Sequence, residues 1–276
     1  MKRIGILALA AMVLTACSSE NEELRIKNEE LSEVTLTFSP YQMEAMTRSA
    51  VSIAEVVTRL DVWIICGTDT VAAHQSNADV GFGSVSMTLD KTKTYTLYAV
   101  GHKCADAATL ANGIISFPDD KVTHSMFYST TFTPATTNSL SCLMQRIVAD
   151  FRLEITDYVP AAVKKLRFTI SSVYDRWSVT DGGTNQLDRT STINYPANAM
   201  SVFNIYAIVT DAQTTHTVTV TALDENDQEV QTRTFSDVPL RNGCKTNYRG
   251  TFFTDAAFSS SFTVENDWNE YDTVGF

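Results

Sequence analysis

From Val34 to Phe38 the chain alternates one for one between apolar and polar side chains (Val34, Thr35, Leu36, Thr37, Phe38), then breaks at Ser39-Pro40. A period of two puts the apolar set on one face of an extended segment, so this run predicts a half-buried β-strand. Arg59 to Cys66, Ser84 to Leu89 and Tyr95 to Val100 carry the same β-branched and aromatic signature, with a polar turn, Asp90-Lys91-Thr92-Lys93, between the last two. A second series predicts strands at Met144 to Thr156, Lys165 to Ser171, Val202 to Val209, Thr217 to Leu223, Glu229 to Phe235, Tyr248 to Phe253 and Ser261 to Val264. The acidic run from Asp224 to Asp227 closes the hairpin between the fourth and fifth of these, where Asx side chains favour turn geometry. Helical periodicity is scarce: residues 43–58 and Ala105 to Asn112 offer one or two turns each. Strands at this density without alternating helices predict an all-β chain of sandwiches rather than a parallel α/β sheet. The Thr-rich, proline-containing stretch from Phe132 to Ser139 is the expected boundary, dividing the chain into sandwiches at 34–139 and 140–276.

The N-terminus has a different pattern. Lys2 and Arg3 precede an apolar run from Ile4 to Leu14, far shorter than the roughly 20 residues needed to span a bilayer core. This is the order of a signal peptide, expected over residues 1–16 and excluded from fold reasoning. Leu14-Thr15-Ala16-Cys17 resembles the bacterial lipobox, in which cleavage between the residues standing here as Ala16 and Cys17 leaves the cysteine lipidated at the new N-terminus. Residues 17–33 then read as a tether, because glutamates outnumber Arg25 and Lys27 and the run cannot bury enough apolar surface to offset its ordering entropy.

Composition narrows the function. A net charge of −11, with no basic cluster, excludes the phosphate neutralisation on which nucleic-acid binding depends. There is no nucleophile elbow, P-loop, HExxH or dinucleotide fingerprint, so no enzyme chemistry and no cofactor is expected. His74, His102, His124 and His216 lie far apart in sequence, and neither Asp119-Asp120 nor Asp224 to Asp227 follows calcium-loop spacing, so no metal site is expected. Cys66, Cys104, Cys142 and Cys244 match no CxxC signature; Cys66 closes an apolar run and Cys142 adjoins Leu143, the setting of small buried hydrophobes rather than disulfides. Trp63 sits within an apolar strand and reads as core. Trp177 and Trp268, in polar surroundings, are the aromatic side chains that could present a flat sugar-binding platform, which keeps a surface glycan-binding lipoprotein as the alternative.

Four segments together resemble the fimbrial subunits of type V pili, in particular the FimB-type anchor family of fimbrillin-like lipoproteins: TRLDVWIIC (58–66), LDKTKTYTLYAVGH (89–102), LMQRIVADFRLEIT (143–156) and VPLRNGCKTNYRGTFF (238–253). The resemblance implies two tandem transthyretin-like sandwiches on a cell outer membrane, held by lipid on Cys17 and partnered by other fimbrial subunits. It further implies assembly by strand complementation, in which an extended segment completes a neighbour's sheet. The donor-type first strand would be Val34, Leu36 and Phe38 with their polar neighbours. Arg48, followed by Ser49, would be the processing point, with Arg59 a less accessible alternative. Cleavage at Arg48 would detach lipid and first strand and release a polymerising subunit; an intact Arg48 would leave an anchor.

Overall fold

The computed structural model describes residues 30–40, 52–195, 202–254 and 259–263, the last group by backbone alone. As expected, the chain is almost wholly β. Its strands are β1 (Leu31–Pro40), β2 (Arg59–Cys66), β3 (Asp69–Ser76), β4 (Ser84–Asp90), β5 (Tyr95–His102), β6 (Thr109–Ala111), β7 (Ile114–Ser116), β8 (Met126–Phe132) and β9 (Ser139–Arg146). They continue with β10 (Ala149–Ile155), β11 (Lys165–Ser178), β12 (Gly182–Asn194), β13 (Val202–Ala207), β14 (Thr214–Leu223), β15 (Glu229–Leu240), β16 (Lys245–Gly250) and β17 (Ser259–Thr263). Of the two expected helices, the one within 43–58 is described only as the single turn α1 (Ile53–Val56), N-capped by the Ser52 hydroxyl.

Three sheets organise these strands: β3-β2-β5-β8-β9-β1-β4, then β13-β10-β16-β17, and β15-β14-β11-β7-β6 with β12 on the other side of β11. The first sheet folds over on itself at the β8–β9 junction, where only Met126↔Arg146 and Phe127↔Gln145 are paired. Its two halves enclose Val34, Leu36 and Phe38 of β1, Leu60, Val62 and Ile64 of β2, Leu97 of β5, and Cys142 and Met144 of β9. The other two sheets enclose Phe151 and Leu153 of β10, Leu166 and Phe168 of β11, Phe203 of β13 and Val218 and Val220 of β14. Along β1 and the first half of β11 the buried residues recur at every second position, as one-sided burial requires, whereas β2 is buried at five successive positions, Leu60 to Ile64. A third cluster, including Trp63, Val100, Ile115, Val148, Ile208 and Trp177, draws side chains from both sandwich cores.

Several sequence expectations are corrected here. The run Met144 to Thr156 is two strands, not one: Ile147 and Val148, both buried, break it so that β9 stays beside β1 while β10 enters the second core. Sheet membership therefore changes after Arg146, and the stretch from Phe132 to Ser139, expected as the boundary at 139/140, connects two strands of the first sheet. Ala105 to Asn112 is not a helix. It leads into the β6–β7 hairpin, whose turn residues Asn112 and Gly113 both have positive φ (51° and 74°), the requirement of a type I′ turn. That hairpin precedes β8 in the chain yet joins the opposite sheet, through Arg176↔Ser116, Trp177↔Ile115 and Ser178↔Ile114.

Near the other end, the Asp157 carboxylate accepts from three successive backbone amides, Phe252 N at 2.8 Å, Phe253 N at 2.7 Å and Thr254 N at 2.9 Å. Arg233 donates to the carbonyls of Phe252 and Thr254 on the same strap. These charge-assisted bonds fix the chain where it leaves β16 for the edge strand β17.

Candidate functional site: the first strand and its groove

β1 is an interior strand although it comes first in the chain. On one side it pairs antiparallel with β4, from Leu31↔Asp90 to Thr37↔Ser84. On the other it runs parallel to β9, from Thr35↔Ser139 to Pro40↔Met144. Its inward residues Val34, Leu36 and Phe38 are fully or almost fully buried, while Glu33 and Thr37 are exposed. Outward, the Thr35 hydroxyl meets the Ser86 hydroxyl across the β4 pairing at 3.0 Å. Leu36 lies opposite both Val85 and Leu140, and Phe38 opposite Cys142. Take β1 away and β4 and β9 lose a ladder each, while the apolar side chains beneath are opened to water.

Cys142, on β9 opposite Phe38, flanks that groove. Its side chain has no exposure, and burial pushes the thiol up to about 12, although the Tyr128 hydroxyl pulls the other way. Thiols react as thiolates, so Cys142 is expected to react slowly while it stays buried beside β1. Cys66, Cys104, Cys142 and Cys244 are all free; Cys142 is buried as expected, whereas Cys66, expected to be buried too, is only partly so at the end of β2.

The far end of β1 is held by a close backbone approach. Phe38 N donates to Gly83 O at 2.8 Å, and Gly83 has a φ of +87° with the position of an added Cβ only 2.5 Å from Ile53 Cγ2. A Gly83→Ala variant must therefore strain its backbone and displace α1. The expected loss is about 1–3 kcal/mol in chemical denaturation, and larger than for Gly81→Ser, which shares the backbone strain of a positive φ (+82°) but has nothing within 4 Å of an added Cβ.

The other sequence-predicted site residues divide by position. Ala16, Cys17, Arg48, Ser49 and Trp268 lie outside the described residues. Arg59, the alternative processing residue, opens β2 with its Nε donating to Ala105 O at 2.7 Å, so its side chain is engaged. Trp63 is buried as expected. Trp177 does not stand on an open platform: it packs into the third cluster, 5.7 Å from the Phe127 ring.

One polar constellation went unread in the sequence. Asp61 of β2 is fully buried and its carboxylate meets His74 Nδ1 at 2.7 Å, His102 Nε2 at 2.8 Å and Ala108 N at 2.8 Å. His102 is equally buried, whereas the His74 side chain is 42% exposed. Burial acts to lower the His102 pKa, but the bond to Asp61 and the neighbourhood of Cys104 outweigh it and hold the ring above its ordinary value. Cross-strand register could have suggested the meeting, since Asp61 lies opposite His74 on one side and two residues from the His102 rung on the other, on the same face of the sheet. The sequence does not reveal that register. Among the described residues no group of three or more His, Cys, Asp or Glu is arranged to hold a metal ion.

No family profile matches the chain, and no curated protein does. Solved structures do. A candidate adhesin from Bacteroides ovatus aligns over 87% of this chain and 98% of its own at 17% identity, with a TM-score of 0.52. A candidate cell adhesion protein from Bacteroides uniformis ATCC 8492 aligns over 86% and 98% at 14% identity, with a TM-score of 0.51. The fimbrial anchor protein Mfa2 from Porphyromonas gingivalis covers 83% of this chain and 95% of its own at 11% identity, but its TM-score of 0.42 is too low to bear on the argument. At such identities the first two alignments show a shared fold: this chain has the β architecture of those two proteins over nearly their whole length.

Proposed function

We propose that this chain is a structural subunit of a type V fimbria, an outer-membrane lipoprotein anchor that assembles with other subunits through β-strand complementation. The observation that carries the reading is the position of β1: an N-terminal strand, buried on its inner face, inserted between β4 and β9 and followed directly by the segment that contains Arg48. A strand so placed can be excised without cutting the rest of the sheet, and the groove it vacates offers both unpaired backbone and apolar pockets at alternate positions. The shared fold with two candidate adhesion proteins of Bacteroides is consistent with a place at the cell surface. Retention of β1 makes an anchor, because its own groove is filled and Cys17 keeps the chain in the membrane. Loss of β1 makes a polymerising subunit.

Mass and N-terminal analysis of the mature protein from its native envelope distinguishes these states. The expected product begins at a lipidated Cys17 and still contains Val34, Leu36 and Phe38. A start at Ser49 would replace the anchor with a processed stalk subunit. An unlipidated chain with an uncut Arg48 and no co-purifying subunits would sink the fimbrial reading altogether.

A further inference from the structure

We infer that β12 is an interface through which the chain pairs with a second copy of itself. At 13 residues, β12 is bonded along one side to β11, from Lys165↔Asn194 to Ser178↔Gly182. Among the described residues no strand pairs with its other side. Gln186, Asp188, Thr190, Thr192 and Asn194 are exposed. An open edge is a template for another strand, and most edges are blunted by proline, lysine, bulges or covering segments. The edge strand β15 has such protection: Pro239, two register shifts against β14, and Arg233 tied to the strap at 252–254. β12 contains neither proline nor lysine; its left-handed residues, Gly182 (φ 85°) and Asn185 (φ 60°), precede Gln186, and the register shift opposite Leu187 to Arg189 has its extra residue in β11, so Gln186 to Asn194 carries no extra residue of its own.

The occupant follows from side-chain complementarity in that stretch. Two copies related by a two-fold axis perpendicular to the sheet keep the same face outward, so residues of like parity must sit opposite each other. Centring the pair on Asp188 would oppose two carboxylates, and centring it on Arg189 would oppose two guanidinium groups; like charges directly opposite are destabilising. A centre at Ser191 would set Arg189 against the apolar Ile193. A centre at Thr190 sets Asp188 against Thr192, Arg189 against Ser191 and Leu187 against Ile193, which matches every position with a compatible neighbour. The centre at Thr190 is also the one that pairs the whole stretch from Gln186 to Asn194 with itself. An edge pairing of this length is smaller than a standard protein interface, so the dimer is reversible and concentration-dependent.

The test uses the full-length chain in detergent. Thr190→Cys should form a disulfide-linked dimer under mild oxidation, because the two-fold axis places residue 190 against itself. Asp188→Cys should not, its partner being Thr192. Sedimentation of the unmodified protein should show a mass rising across the micromolar range from the 30.5 kDa chain towards twice that value. Thr190→Lys, at an exposed position whose hydroxyl meets that of Thr169 at 3.0 Å, should abolish the rise by opposing two ammonium groups, with a melting temperature near that of the unmodified chain. A wild-type chain that stays monomeric, or variants at 188 and 190 that cross-link equally, would overturn the pairing.

Discussion

Leu36→Asp is expected to unfold the first sandwich core and to make Cys142 reactive. Leu36 is fully buried at the centre of β1, so removing its side chain alone, as in Leu36→Ala, costs about 2–5 kcal/mol. An aspartate there adds a carboxylate with no partner in an apolar site, a penalty that pushes the total beyond what a typical domain's about 5–15 kcal/mol of stability can absorb alongside the lost packing. Cys142 provides the readout. Held at about 12 by burial, it should resist alkylation at pH 8 in the native protein and react on opening. Where opening is fast relative to alkylation, Leu36→Ala should speed labelling of Cys142 by about tenfold for each 1.4 kcal/mol lost. Mass spectrometry of the labelled peptide checks this. A Cys142 that alkylates readily in the wild type, or stays silent in Leu36→Asp, would mean that β1 does not seal the groove.

The second large effect belongs to Asp61. Its carboxylate, itself without exposure, is the shared acceptor of two imidazoles and one backbone amide, at 2.7–2.8 Å. Asp61→Ala leaves the His102 ring and the Ala108 amide without that acceptor in the interior and is expected to cost about 3–5 kcal/mol in urea denaturation. The pH dependence has a definite sign. The His102 pKa is raised in the folded chain, so its contribution to stability is complete below the ordinary value of 6.5 and is lost as pH rises through the folded value. The Cys104 N–H bond to His102 Nδ1 at 3.1 Å belongs to the neutral ring, and the raised value means that attraction of the imidazolium to Asp61 outweighs its loss. Asp61→Asn removes that attraction. The stability gap between wild type and Asp61→Asn should therefore widen on acidification from pH 8 to 6.5; a gap independent of pH would show that Asp61 stabilises by geometry alone.

What the sequence made legible was whatever one strand can state by itself. β1, β2, β4 and β5 alternate or run apolar strongly enough to be read locally, and Trp63 followed from its setting. The strands that escaped reading lack that internal evidence. β12 is polar almost throughout, and exists because β11 offers it a ladder from residue 165 to 178. β6 and β7 are three residues each, too short for a period to register; the Asn112-Gly113 pair between them was the available signal, and the neighbouring alanines obscured it. The division of residues 144–156 into two strands depends on where β9 and β10 find partners, which is a tertiary fact. The candidate site was legible as a strand but not as an inserted one: nothing in Val34 to Phe38 says that β4 and β9 will take up opposite sides of it. The Asp61–His74–His102 group was invisible for the same reason, since its members come together only when three strands are set in register.

The β6–β7 hairpin has a mechanical consequence. It leaves the chain between β5 and β8, both strands of the first sheet, yet its backbone is bonded to β11 in the second core, with Ile115 fully buried in the cluster between them. A pull that separates the two cores cannot simply straighten the link from Arg146 to Ala149. It must also shear the β7 rungs from Arg176, Trp177 and Ser178 and extract Ile115 at the same moment. Load is thus shared between two parallel connections, and the two halves of the chain resist tension as one stiff element instead of stretching like beads on a cord.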